Sequence, residues 1–284
     1  MDGTPTCRLN DYVLTNLAQN KIDHGSAQVS SNLEAPKKLN FAFNTAVHKA
    51  IEVSEKNFDE LIGKHGLHVQ NYEGYGKGLI KKFKCSPDAY VQMIIQLAYF
   101  KMHGVSNPTY ESAQVRKFQH GRTETCRTVS TESVAWVKSM EDPFKSAAEK
   151  TDLFKKALES HVGYMSKAVE GHGVDRHLLG LRLSLKAHES KPEMFAQDIF
   201  SRSCHWNLST SQLSGENFDG YGWGEVVPDG YGVAYMVNEH NLSFNVASMK
   251  NMHPERLHHY LKESATEMKQ LFEQTLLEAP KSKL

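Results

Sequence analysis

Cysteine is scarce: Cys7, Cys85, Cys126 and Cys204 are the only four in 284 residues, and no C-x-x-C pair occurs. That excludes a disulfide scaffold and a cysteine-built zinc site, and it predicts scattered thiols in a reducing compartment. An excess of one charge is missing too. The 33 Lys and Arg balance 33 Asp and Glu, so no global field draws the chain to nucleic acid or an anionic membrane, and any basic site must be local. No apolar run approaches the roughly 18 residues of a membrane span, and the opening "MDGTPTCRLN" has no signal-peptide core. The expectation is a soluble chain, neither membrane-spanning nor secreted. Internal repeats are absent as well. What the sequence does have is 39% hydrophobic residues, enough for the core of one large domain or two small ones.

The first forty residues hold a short periodic piece, "LNDYVLTNLAQNKI", and a polar linker, "DHGSAQVSSNLEAPKK". Next, Val47, Ile51, Phe58, Leu61 and Ile62 share one helical face, with Gly66 as the expected stop. The clearest helix is "SPDAYVQMIIQLAYFKMHG": Ser86 at the N-cap, Pro87 at the first position, Asp88 in the positive first turn, Gly104 at the close. Its broad apolar faces predict burial. Further helices are expected at about 131–140, 146–170, 175–189 and 254–278 from their three-to-four apolar spacing. "LHVQNY", "HWNLSTS", "GVAYMVN" and "LSFNVAS" alternate as strands do. Strands between long helices predict an α/β sandwich, a sheet covered by helices on at least one side.

Several stretches could carry chemistry. Lys77, Lys81, Lys82 and Lys84 precede the N-terminus of the buried helix, a place that favours an anion such as phosphate, although such runs are more often solvated connectors. "FDGYGWGEVVPDGYG" sets Phe218, Tyr221, Trp223 and Tyr231 among glycines, as tight turns or as an aromatic wall for a quaternary ammonium. Pleating sends Ser209 and Ser211 of "NLSTSQ" to one face, as ligand contacts or ordinary strand hydroxyls. His177 beside an apolar run reads as structural rather than catalytic. "YESAQVRKFQHGRTETCRTVSTES" crowds hydroxyls, arginines and glutamates around one Gly-Arg pair, more than a surface loop requires.

"SPDAYVQMIIQLAYFKMHG", "TYESAQVRKFQHGRTETCRT", "DRHLLGL", "LSTSQ" and "VVPDGYGVAY", in that order, resemble the C-terminal half of the carnitine/choline acyltransferases, in particular the fungal type of carnitine acetyltransferase. The resemblance implies a chloramphenicol acetyltransferase-like α/β sandwich, a mixed sheet covered by long helices. It implies two parts: 1–43, a remnant of an N-terminal catalytic domain plus linker, and 44–284, a C-terminal carnitine- and coenzyme A-binding domain. The activity implied is reversible acetyl transfer between acetyl-coenzyme A and carnitine, with coenzyme A as co-substrate, no tightly bound cofactor and no metal. A longer acyl chain is an alternative, since Tyr221 lies where relatives differ in bulk.

The same resemblance assigns residues. Tyr110, Ser112, Thr123, Arg176 and Ser209 match carnitine contacts, with Arg176 on the carboxylate side and Trp223 near the ammonium. Lys77, Lys81, Ser86, Pro87, Asp88 and Gln212 match coenzyme A contacts, whereas Val162 stands where relatives can carry a basic one. Ser211 matches a hydroxyl that stabilises the oxyanion. The family's general-base histidine is expected just upstream of Met1, and none of the 15 histidines here occupies its slot. The chain is thus expected to be the distal half of a two-domain enzyme, inactive alone; the alternative is a non-catalytic carnitine- or coenzyme A-binding fragment. Ser282, Lys283 and Leu284 spell a peroxisomal address for an import receptor, with mitochondrial dual targeting open for a longer protein.

Overall fold

The computed structural model describes residues 3–21, 34–213, 215–218 and 220–278, and the chain separates into two units, residues 1–65 and 66–284. Most of the polar linker, at 22–33, and the tail with Ser282, Lys283 and Leu284 lie outside the described residues. The first unit holds helices α1 (Gly3–Ala18) and α2 (Thr45–Gly63). Asn44 caps α2: its Oδ1 accepts from the Val47 amide at 3.0 Å, satisfying one of the amides a helix start leaves unpaired. The expected face of Val47, Ile51, Phe58, Leu61 and Ile62 is in helical register, but all five side chains are exposed. Lys64, not Gly66, closes α2, because the chain passes at once into a strand that includes Gly66.

That strand, β1 (His65–Tyr72), leads into the second unit. Helices α3 (Lys77–Lys82) and α4 (Pro87–His103) follow, then strands β2 (Thr109–Gln114) and β3 (Thr123–Arg127). Next come helices α5 (Thr131–Met140), α6 (Ala147–Val169), α7 (Asp175–Leu183), α8 (Glu193–Ala196) and α9 (Asp198–Ser203). Strands β4 (Leu208–Gln212), β5 (Tyr231–Val237) and β6 (Leu242–Met249) complete the sheet, and helix α10 (Pro254–Glu278) ends the unit. The strand order is β1-β6-β5-β4-β2-β3. β2 runs parallel to β4 and β4 to β5, while β2–β3 and β5–β6 are antiparallel. This is the mixed α/β sandwich that the sequence predicts. The spans of α5, α6 and α10 agree closely with the apolar spacing, whereas α7 stops at Leu183, six residues early.

Helix α4 organises the interior. Pro87 takes its first turn, where a missing N–H costs nothing, and Gly104 ends it at φ 71°, a left-handed conformation that a Cβ would strain. Ser86 occupies the N-cap, but its hydroxyl makes no capping bond. Every residue from Ala89 to Tyr99 is buried, as befits a helix enclosed on all sides. α4 packs on α10, and α5 on α6. Phe154 joins these helices, with ring centroids 4.9 Å from Phe272, 5.2 Å from Trp136 and 5.6 Å from Tyr90. The two glutamines of this apolar helix bind the sheet. Gln96 Nε2 donates to Thr109 Oγ1 at 3.0 Å, and Gln92 Nε2 to Thr210 Oγ1 and Tyr235 Oη, each at 2.9 Å. Thr109, Thr210 and Tyr235 therefore point into the helix layer, and alternation sends Tyr110, Ser209 and Ser211 to the opposite face.

Candidate active site

That opposite face is polar and built from register. Tyr110 stands beside Ser209 in β4 and opposite Arg127 in β3; Ser112 is opposite Thr125, and Gln114 opposite Thr123. Ser209 neighbours Gly232 and Ser211 neighbours Ala234, itself opposite Asn245. Partners in register share a face, so hydroxyls of three adjacent strands, with small residues of a fourth, form one continuous surface. β2 and β3 correct the sequence reading, in which this stretch was a ligand-holding segment with no strand assigned. "TYESAQ" and "TETCR" do alternate, but their inward residues include Thr109, Glu111 and Glu124, all buried, so the usual apolar half of the pattern is largely missing.

Helix α7 delivers Arg176 to the edge of this surface. Its guanidinium donates from Nη2 to Thr123 Oγ1 at 3.3 Å and to Tyr110 Oη at 3.4 Å, and from Nε to the Thr123 carbonyl at 3.2 Å. The charge lies 5.9 Å from the Tyr110 ring centroid, and Ser112 Oγ donates to Tyr110 Oη at 3.0 Å. Four of the residues expected together from sequence thus form one contact group, and Arg176 remains exposed within it.

Two anchors fix the first turn of α7. Glu124 accepts the Arg176 amide at 3.2 and 3.4 Å. Asp175 accepts a two-pronged bond from Arg127, Nε to Oδ2 at 3.0 Å and Nη2 to Oδ1 at 2.7 Å, the fork geometry that suits a carboxylate. Arg127 also lies 4.6 Å from the Trp206 ring, which meets Tyr110 edge-on at 5.8 Å. Arg127, Asp175, Glu124 and Trp206 escaped sequence reasoning, because their roles depend on strand pairing and a distant helix. Farther along the face, Trp223 Nε1 donates to Ser209 Oγ at 2.9 Å. Gly232 makes this approach possible, since a Cβ there would collide with the backbone of Trp223 and Gly224. Trp223 and Ser209 are therefore a pair.

The remaining predicted residues sit elsewhere. Lys77 opens α3, with its amide bonded to Asn238 O at 2.8 Å and its Nζ 2.7 Å from Glu216 and 3.8 Å from Glu239. Lys81 lies on the last turn of α3, exposed, just ahead of the α4 N-terminus formed by Ser86, Pro87 and Asp88. The Asp88 carboxylate turns inward, accepting from Tyr235 Oη at 2.7 Å. Tyr235 is the register partner of Gln212, so the end of β4 and the start of α4 meet around it. His177 is exposed on α7. Val162 is exposed on α6.

Residues 1–263 match the choline/carnitine O-acyltransferase family. The chain belongs to that family. A mitochondrial carnitine O-acetyltransferase of Saccharomyces cerevisiae is 42% identical over 276 residues, covering 94% of this chain and 41% of its own length. A carnitine O-acetyltransferase of Columba livia is 39% identical, covering 89% and 40%, and a choline O-acetyltransferase of Danio rerio is 34% identical, covering 88% and 39%. The chain thus spans about two fifths of the length of these relatives. A solved chloramphenicol acetyltransferase aligns with 71% of the chain at 9% identity and a TM-score of 0.37, too distant to bear on function. Among the described residues of this family member, no helix is long and apolar enough to cross a membrane.

Proposed function

We propose that this chain forms the carnitine- and coenzyme A-binding part of a carnitine O-acetyltransferase. The observation that carries the reading is the contact group of the exposed Arg176 with the half-buried Tyr110, Thr123 and Ser112. It offers a fixed cation and three hydroxyls to one small carboxylate, and charge-assisted bonds of this kind are the strong ones. The sheet face leads from there to Ser209 and Trp223, whose ring suits a trimethylammonium that cannot donate a strong hydrogen bond. Lys77, Lys81 and the α4 N-terminus from Ser86 to Asp88 would take the coenzyme A phosphates, with Glu216 giving up Lys77 on binding, and Gln212 would line the same path. Because the Asp88 carboxylate faces inward, its part would fall to the backbone.

In the reaction, the carnitine hydroxyl oxygen attacks the acetyl thioester carbon, the carbon–sulfur bond breaks, and coenzyme A leaves as the thiol. Ser211 would donate to the tetrahedral oxyanion, a type of contact whose loss costs roughly 10²–10³ in rate. No described residue is given the role of general base. The division at 43/44, with an N-terminal remnant before it, belongs to the same proposal, as do delivery to peroxisomes by Ser282, Lys283 and Leu284 and mitochondrial targeting of a longer protein. Choline is the competing acceptor, but Arg176 favours a substrate with a carboxylate. Calorimetric titration tests this. L-Carnitine and coenzyme A should bind without displacing one another, and choline should bind carnitine's site at least about tenfold more weakly, the worth of one charged contact. Equal affinity for carnitine and choline would reject the carboxylate site.

A further inference from the structure

Behind the sheet face lies a second polar group, enclosed and not used by the proposed chemistry. Glu111 of β2 is 3% exposed, and its carboxyl lies within hydrogen-bonding reach of Asp88 of α4. Asp88 keeps some exposed surface as a helix-terminal residue, but its carboxyl is enclosed. Two carboxylates in contact away from water repel one another strongly, and the stable arrangement carries one proton between them. The surrounding groups are Gln92 on α4, Cys126 and Thr128 at the end of β3, His161 on α6, Thr210 on β4, Tyr235 on β5 and Tyr221 on the loop before it. Of these, His161 is the one that could neutralise an acid by charge. Its Nε2 lies 3.1 Å from Glu111 Oε2, yet the contact is not aligned as a hydrogen bond, and burial holds the imidazole pKa down. Glu111, Cys126 and His161 bring their ligand atoms within 4.8 Å of each other. A thiol whose pKa burial raises and an acid already engaged by Asp88 favour a proton over a metal in that place.

We propose that Glu111 and Asp88 share a single proton across their contact, and that this pair latches the N-terminal turn of α4 to β2. Tyr235 serves the charge that the pair keeps: its Oη donates to Asp88 at 2.7 Å, Gln92 Nε2 holds that hydroxyl in place at 2.9 Å, and the same hydroxyl reaches Glu111. The latch joins the turn proposed for coenzyme A to the strand that carries Tyr110 and Ser112, so Asp88 and Glu111 are positioning residues; that role rests on the function proposed above. Burial raises both carboxyls, each to about 7. A raised carboxyl favours the folded state while protonated, so this contribution is complete below the ordinary carboxylate range near 4 and is lost as pH rises toward 7.

Infrared spectroscopy of the unliganded chain tests the proton directly. At pH 6 the protein should show a protonated-carboxyl C=O band that shifts in deuterium oxide and disappears as pH rises through neutrality. Glu111→Gln should abolish the band and remove the fall in unfolding free energy between about pH 4 and 7. Tyr235→Phe removes the donor to Asp88, so it should move the band's midpoint to higher pH, which loss of packing alone would not do. Absence of the band in the unsubstituted protein would overturn the proposal even if neither variant folds, and so would its persistence in Glu111→Gln or an unmoved midpoint in Tyr235→Phe. None of these readings uses a substrate, so they fail separately from the carnitine assignment.

Discussion

Arg127 shows how a residue can govern a site without facing its ligand. It grips Asp175, the neighbour of Arg176, with two bonds and lies over Trp206, whose edge meets Tyr110. Both ends of the proposed carboxylate site thus depend on one guanidinium. Arg127→Gln keeps a donor but loses the fork and the charge. It should weaken carnitine binding by roughly fivefold, the equivalent of about 1 kcal/mol, and leave coenzyme A binding unchanged. Because Arg127 acts through Arg176, the double variant with Arg176→Ala should bind no worse than Arg176→Ala alone, a non-additivity that calorimetry can measure. Additive losses would show that Arg127 acts by another route.

At the scale of elements, legibility followed hydrophobic period. α4 was plain because Pro87 and Gly104 punctuate an apolar run, and β5 and β6 because they alternate large apolar residues with small or polar ones. β2 and β3 were not. Their inner faces carry Thr109, Glu111 and Glu124 in place of apolar residues, and a polar inner face hides the period by which a strand is recognised. The short helices α8 and α9 also went unseen, being too brief for a repeat. Of the site, the pleat of "LSTSQ" correctly put Ser209 and Ser211 on one face, whereas the meeting of Arg176 with Tyr110 and Thr123 follows from the family resemblance. No local pattern links residue 176 to residue 110. The inward turn of Asp88 was invisible for the same reason: its partners, Tyr235 and Glu111, are distant in sequence.

For the whole molecule, the chain's destination and its two ligand sites are separate questions. On the proposed address, the tail "APKSKL" would be read by a receptor and not by the fold, so a reporter ending in it should enter peroxisomes, and deletion of the residue matching Leu284 should leave it in the cytosol; diffuse fluorescence of the intact reporter would refute the address. The ligand sites divide the sheet. The proposed carnitine group lies on the face away from the helix layer, where β2 and β3 meet α7, and the proposed coenzyme A contacts cluster where α3 and α4 begin. A substitution at one should leave the other intact. The most direct measurement is therefore the calorimetric affinity of Arg176→Ala for both ligands. The account predicts that L-carnitine binding falls roughly tenfold or more while coenzyme A binding is unchanged. Unaltered carnitine affinity, or an equal loss for both ligands, would contradict it.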